Sequence, residues 1–568
     1  MLRVPVRILL LPLRVFFFIY MRLRAIHREL LLDVCIRSDY SEAPLSHGIW
    51  AYFKPAKDRF YLIALELQSV ITAVRRGKLK LSRARFTFEA NSLGWAQAWE
   101  IRQLITALRA EKVKTYAYLL SDDRITMFMA SACDYVACPE SATFDLSPFT
   151  SESLFVQNLL NRLGVRPQFL SVGEFKSAAE IFTRTGMSKA ARRQTEELIA
   201  DIEKNFYDAL GQKSPEFAAA GRRDLLSANE ALQQKLIDAV SAYSEFKEFT
   251  EKEAKLKTAD LFDAQNIARR RMYPLFNFKK TKKLALFVAE GNIIESSTSR
   301  PGTINWHDYE PLSDILRDGN FSAVLLRINS PGGSALVSQL LWREWMLATG
   351  RLRPQKQDHP SHETKDEKPA IPVFVSQGNV AASGGYYLSA IADHIFATPV
   401  TITGSIGVVG GKFNVAPLLT KWGVSLDRAP KKNAPPAFSP FADFAPAQKR
   451  ALQRNMAEIY EQFLRDIATG RNTQVAKVKP HASGRVFSGA AAQKLGLTDA
   501  EGGICAALLA IRKQLNLAEN ETLQVEILPS VKESLFGRNM LPLGLKSLAN
   551  LADFAKPGVY AIDTRFFL

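Results

Sequence analysis

The 568-residue chain is too long for one ordinary domain, so two or more are expected. Hydrophobic residues at 47% and charged residues at 23% make a globular balance, with ample apolar surface for a large core. The net charge of +17 favours anionic partners. Yet the basic residues are scattered, apart from Arg269–Arg271 and Lys279–Lys283, and no recognition-helix or zinc-finger pattern accompanies them. That argues against nucleic acid and leaves an acidic membrane surface. Four cysteines (Cys35, Cys133, Cys138 and Cys505) are too few for a disulfide framework and lack a second Cys/His pair for zinc, so they read as buried thiols.

In chain order, residues 1–28 come first. Val4–Met21 is almost wholly apolar and long enough for a bilayer span, but Arg7, Arg14, Pro5 and Pro12 interrupt it. A charge near the middle of a span costs about 3 kcal/mol, so the segment reads as an uncleaved anchor or as a segment lying in the headgroups. No small-x-small cleavage site follows it; Arg22, Arg24, His27 and Arg28 do.

Beyond it the chain repeats itself. Placing Ala132-Cys133-Asp134 over Ile391-Ala392-Asp393, an offset of 259, brings Leu159-Leu160 onto Leu418-Leu419 and Leu163-Gly164-Val165 onto Trp422-Gly423-Val424. Gln234-Lys235-Leu236 then falls on Gln493-Lys494-Leu495. Earlier, Asn91-Ser92 matches Asn329-Ser330 at an offset of 238, and the polar, proline-bearing stretch 352–370 takes up the difference as a surface loop. The pattern predicts a tandem duplication: a first repeat over 50–245, a charged linker over 246–283, a second repeat over 284–517 and a tail over 518–568. In the second repeat, Leu284–Ala289, Ala323–Ile328 and Val373–Ser376 read as buried strands, and Ser334–Ala348 and Ser383–Ala392 as helices. Alternation of this kind predicts an α/β class with parallel sheets and packed helices.

Three glycine-containing elements cluster in the second repeat. Arg327-Ile328-Asn329-Ser330-Pro331-Gly332-Gly333 ends a strand in a turn whose bare backbone can face an incoming oxygen, as an oxyanion hole requires. Ala381-Ala382-Ser383-Gly384-Gly385-Tyr386 sets a serine, and the Gly384 amide, at a helix N-terminus among small residues. Thr403-Gly404-Ser405-Ile406-Gly407-Val408 is the third. Each alone is weak, since Ser383 by itself reads equally as a helix cap. A nucleophilic serine needs a base. Of seven histidines His394 is nearest, and a surface or core position explains it; the remaining option is a lysine with a depressed pKa, with Lys176 in Ser171–Glu180 as the candidate. By composition alone Lys176 reads as a solvated surface residue.

The strings INSPGG, AASGGYY, TGSIGV and GEFKSAAEIF, with Met187-Ser188, the later Gly484–Gly489 stretch GRVFSG and Leu495-Gly496-Leu497, resemble the long, two-domain form of bacterial signal peptide peptidase A over roughly residues 50–515. The resemblance implies a ClpP/crotonase-like domain in each repeat and a Ser-Lys dyad, with Ser383 as nucleophile, Lys176 as general base and Ser405 orienting the lysine. Gly332, Gly333 and Gly384 would then serve the oxyanion. It further implies a membrane-associated serine endopeptidase that degrades cleaved signal peptides, needs no metal or organic cofactor, meets membrane lipid and assembles as a homo-oligomer, a tetramer. Its expected place is the bacterial inner membrane, with the catalytic domains on the periplasmic side. The repeat adds a check: the offset of 259 sets Arg124 opposite Ser383 and Pro435 opposite Lys176, and Leu93-Gly94-Trp95 has lost the Pro-Gly-Gly turn. One composite site, built from both repeats, is therefore expected. The rival readings are an inactive membrane scaffold of this shape and a crotonase-type acyl-CoA enzyme.

Overall fold

The structure, a computed structural model, describes residues 29–528 apart from 38–39, 43–57, 91, 222–223, 253–256, 273–280, 297–301, 319, 353–369, 430–433, 519–520 and 522, together with 562–563. The first unit contains β1 (Leu30–Ile36), α1 (Phe60–Arg75), β2 (Leu81–Phe88), α2 (Trp95–Ala110), β3 (Lys114–Leu119), α3 (Arg124–Ala130), β4 (Tyr135–Cys138), β5 (Arg166–Val172), α4 (Lys189–Lys213), β6 (Ala239–Val240) and β7 (Lys257–Asp260). The second contains β8 (Lys282–Glu290), β9 (Ala323–Ser330), α5 (Ala335–Ala348), β10 (Val373–Ala382), α6 (Gly384–Ser389), β11 (His394–Ala397), β12 (Ile402–Gly404), β13 (Val408–Asn414), α7 (Pro446–Gly470), β14 (Val486–Ser488), β15 (Ala500–Glu501), α8 (Ile504–Gln514) and β16 (Leu523–Leu528).

The two sheets have the same order. In the first it is β6-β4-β3-β2-β1-β7, parallel throughout. In the second, β15-β11-β10-β9-β8-β16 repeats it, again parallel. There β10 runs on past its partner β11, β12 pairs along the extension, and β14 pairs antiparallel with β12. The duplication and the α/β class with parallel sheets are thus as the sequence predicts.

The bounds differ. The first sheet takes in β1, upstream of residue 50, and β7, inside the stretch expected to be a linker. The second takes in β16, from the expected tail. Of these, β7 (KTAD) is short and charged, so its apolar signal is weak and pairing beside β1 supplies what its own sequence lacks, whereas β1 (LLLDVCI) and β16 (LQVEIL) are apolar strands that lie outside the bounds drawn from the repeat offset. Two alignments also move. Lys235 and Gly496 share a left-handed position at the end of equivalent helices, an offset of 261 where 259 was expected. Helix α2 opens after Gly94 as α5 opens after Ser334, an offset of 240 where 238 was expected.

Strand β8 is apolar at every buried position, and β9 at all but Arg327 and Ser330, because both faces are covered. Leu284, Leu286 and Val288 turn to a core shared with Leu32, Phe86 and Leu67 of the first unit, while Ala285, Phe287 and Ala289 turn to the second unit's own core. The period of two along a strand therefore joins the units through one apolar interior. Helix α1 lies in that interior and packs on α8. Among the described residues no helix is long and apolar enough to cross a membrane; the expected anchor at 1–28, and most of the expected loop at 352–370, lie outside the described residues.

Candidate active site

Ser383 sits where β10 hands over to α6. Its backbone is at φ +54°, ψ −118°, and its side chain makes no capping bond. The turn is held from both ends: the Ser383 N–H donates to Gly404 O at 2.8 Å, and its carbonyl accepts the Tyr387 N–H at 2.9 Å. A positive φ is uncommon for a residue with a side chain and costs about 1–3 kcal/mol, so the surrounding bonds hold Ser383 against a preference for relaxing.

Lys176 arrives from the other unit. Strand β5 pairs antiparallel with β13, from Val172 opposite Val408 to Arg166 opposite Asn414. This ribbon crosses the unit boundary. One of its strands leads into the lysine loop, and the other follows directly on Ser405. The loop is fastened by Phe175 N–H to Ser483 O at 2.9 Å. Gly484 lets it approach, since a Cβ there would lie 2.6 Å from both Cβ and N of Lys176, at a backbone φ of +78°.

The outcome is a tight contact. Lys176 Nζ lies 2.9 Å from Ser383 Oγ, 3.0 Å from Ser405 O and 3.0 Å from Ser405 Oγ. Among the described residues no carboxylate pairs with it. Burial pulls its pKa from 10.5 down to about 8, because the charged form is poorly solvated there. A neutral amine is therefore well populated near physiological pH, as a general base needs.

The turn after β9 lies against the serine. A Cβ on Gly332 would stand 2.6 Å from Gly384 N and 2.8 Å from Ser383 Cβ, so only glycine fits. Its own amide is occupied, donating to Ser330 Oγ at 3.1 Å. The amides of Gly333 and Gly384 have no acceptor among the described residues. Of the three expected oxyanion residues, two therefore offer donors and Gly332 offers space.

Other candidates are set aside by position. His394 is exposed and pairs with Phe374 at the far end of β10, roughly 30 Å along the strand from Ser383. Cys133 and Cys138 are buried free thiols whose pKa burial pushes up to about 12, so neither is a ready nucleophile.

A second polar cluster joins the two units further back along β10 and was not legible in the sequence. The fully buried Arg327 donates to Glu42 Oε1 at 2.6 Å, contacts Glu100 Oε1 at 2.8 Å and donates to Ser376 Oγ at 2.8 Å. Both carboxylates belong to the first unit. Nearby, Asn379 Oδ1 accepts the N–H groups of Ala96 and Gln97 at 3.1 and 3.3 Å, capping α2 of the first unit from within β10 of the second. A cap recognised by sequence adjacency cannot reveal one supplied from 283 residues away.

The model of peptidase family S49 matches residues 107–257 and 365–518, once in each unit. The chain is 29% identical over 452 residues to the chloroplastic serine protease SPPA of Arabidopsis thaliana, a match covering 76% of this chain and 62% of the relative. It is 28% identical to Protease 4 of Salmonella typhi (74% of this chain, 68% of the relative) and 27% identical to Protease 4 of Haemophilus influenzae (70% and 64%). With matches to both repeats covering more than half of its length, the chain belongs to peptidase family S49.

Proposed function

We propose that this chain is a membrane-associated serine endopeptidase that works through a Ser383–Lys176 dyad and degrades cleaved signal peptides. The observation that carries the reading is the 2.9 Å contact between Lys176 Nζ and Ser383 Oγ, made by a lysine whose pKa burial lowers to about 8. Neutral Lys176 accepts the Ser383 hydroxyl proton on its lone pair, while its two N–H bonds donate to Ser405 O and Oγ. Ser383 Oγ attacks the scissile carbonyl, and the amides of Gly333 and Gly384 receive the developing oxyanion. One such donor is worth about 3–4 kcal/mol of the barrier. Protonated Lys176 then gives its proton to the leaving amine. Water, deprotonated by the same lysine, releases the acyl group.

The strained φ of Ser383 also favours an enzyme over a scaffold, since a scaffold has no use for an uncapped residue held in that conformation. The apolar segment at 1–28 would hold the enzyme at the membrane, where such substrates remain, and the motifs shared with signal peptide peptidases support the substrate class.

The test is turnover of a fluorogenic peptide and of a synthetic signal peptide in lipid vesicles, by the wild type, Ser383→Ala and Lys176→Ala. A serine-directed covalent probe, located by mass spectrometry, should label Ser383. Because the base acts when neutral, activity should rise with pH through about 8 and level off above it. Wild-type turnover in both variants would sink the dyad.

A further inference from the structure

We propose that Gln194, on α4, is the residue that positions the lysine of the dyad; the inference rests on the dyad reading above. Gln194 is 5% exposed, and both ends of its side-chain amide are used. Nε2 donates to Phe175 O at 3.2 Å and to Ser177 Oγ at 3.2 Å, the residues on either side of Lys176. Oε1 accepts the Val486 N–H at 3.2 Å, from the strand β14 of the other unit. The carbonyl just before it, Arg485 O, accepts the Ser405 N–H at 2.7 Å. Ser405 in turn receives Lys176 Nζ through both of its oxygens. The bonds close a ring from the lysine amine through Ser405, Arg485, Val486 and Gln194 back to the lysine backbone.

The same face of α4 braces the ring further along. Glu197, three residues on, pairs with Arg485, whose guanidinium lies 5.2 Å from the ring centres of both Phe175 and Phe487. Asp201, four residues further, accepts the Ser488 hydroxyl. Spacings of three and four put these side chains on one side of a helix. Gln194 is the member that touches the lysine loop directly.

The chemistry requires an amide here. A carboxylate could accept from Val486 but could not donate to Phe175 O. A hydrocarbon side chain would leave buried backbone groups on both segments without partners. In either case the loop loosens, water reaches Nζ, and the desolvation that lowers the lysine pKa weakens.

The experiment uses the full chain with the fluorogenic peptide, measuring kcat and KM from pH 6 to 10 for Gln194→Met, Gln194→Glu, the exposed control Arg192→Ala, Lys176→Ala and Ser383→Ala. Gln194→Met keeps the volume and removes the hydrogen bonds. It should lose kcat by about 10²-fold, the scale of a 1 Å misplacement, with KM unchanged and the pH midpoint moved to higher pH. Gln194→Glu should move the midpoint further in the same direction, and Arg192→Ala should match the wild type. A Gln194→Met protein with the wild-type kcat and midpoint overturns the inference, as does one with a lower melting temperature but an unmoved midpoint. Should Gln194→Met fail to fold, as judged by near-ultraviolet circular dichroism, the midpoint of Gln194→Glu decides, and a wild-type value refutes positioning. Activity surviving in Lys176→Ala and Ser383→Ala would instead refute the dyad itself.

Discussion

In both repeats a short helix follows the equivalent central strand, and the residue at its head decides what the turn is for. In the first repeat Asp123 sits at an ordinary φ of −68° and caps α3, accepting the Thr126 N–H at 2.9 Å and the Thr126 hydroxyl at 2.7 Å. Beside it Arg124 donates to Asp145 O at 2.8 Å and pairs with the Asp145 carboxylate at 2.6 Å, with its guanidinium 4.6 Å from the centre of the Phe149 ring. Every polar group there is used for structure. In the second repeat Ser383 takes a positive φ, gives up the cap and faces a lysine. One framework therefore supports a relaxed turn and a strained one, and only the strained one leaves a hydroxyl free to react.

The sharpest way to break this contrast is to remove either half of the dyad. Ser383→Ala or Lys176→Ala should lower kcat/KM by about 10⁴-fold or more, read with the peptide substrate. Arg124→Ala, beside the matching cap Asp123, should leave turnover as it is. Next in size is the buried cluster that only the assembled pair of units possesses. Arg327→Met strands Glu42 and Glu100 without their cation and should destabilise the fold by about 3–5 kcal/mol, measured by denaturant unfolding. Gly332→Ala should cost about 10²–10³ in kcat, because its Cβ would push on Gly384 N and Ser383 Cβ. The smallest effect separates the two turns by stability alone. Asp123→Ala should cost about 1 kcal/mol as a lost cap, whereas Ser383→Ala should cost no cap energy, since none is formed. Equal losses in the two would mean that the turns are not as different as their geometry indicates.

Much of the fold was legible because its signals are local. Leu284–Ala289 is apolar without interruption and Ala323–Ile328 is apolar but for Arg327, as suits strands covered on both faces, and both appear as strands. Ser334, expected as the first helical residue, caps α5, so the helix bound moves by one residue. The bounds of the units were not legible, because Lys257–Asp260 gains its strand character from lying beside β1 and not from its own residues. Among the site residues, Ser383 and the glycines carry local marks. Lys176 has none: as an isolated residue it resembles every other lysine, and only the family resemblance singled it out. Gln194 is more hidden still, since a glutamine within a charged amphipathic helix has the pattern of a solvated residue.

The sequence by itself determined the duplication, the alternation of strand and helix and the glycine turns, because each depends on residues close together in the chain and on periods that backbone geometry imposes. The tertiary structure alone decided what surrounds Nζ of Lys176. Its depressed pKa, its contact with Ser383 and the ring through Gln194 all arise from packing one unit against the other, between residues some two to three hundred positions apart. Desolvation is a property of what encloses a group, and no run of neighbouring residues can specify it.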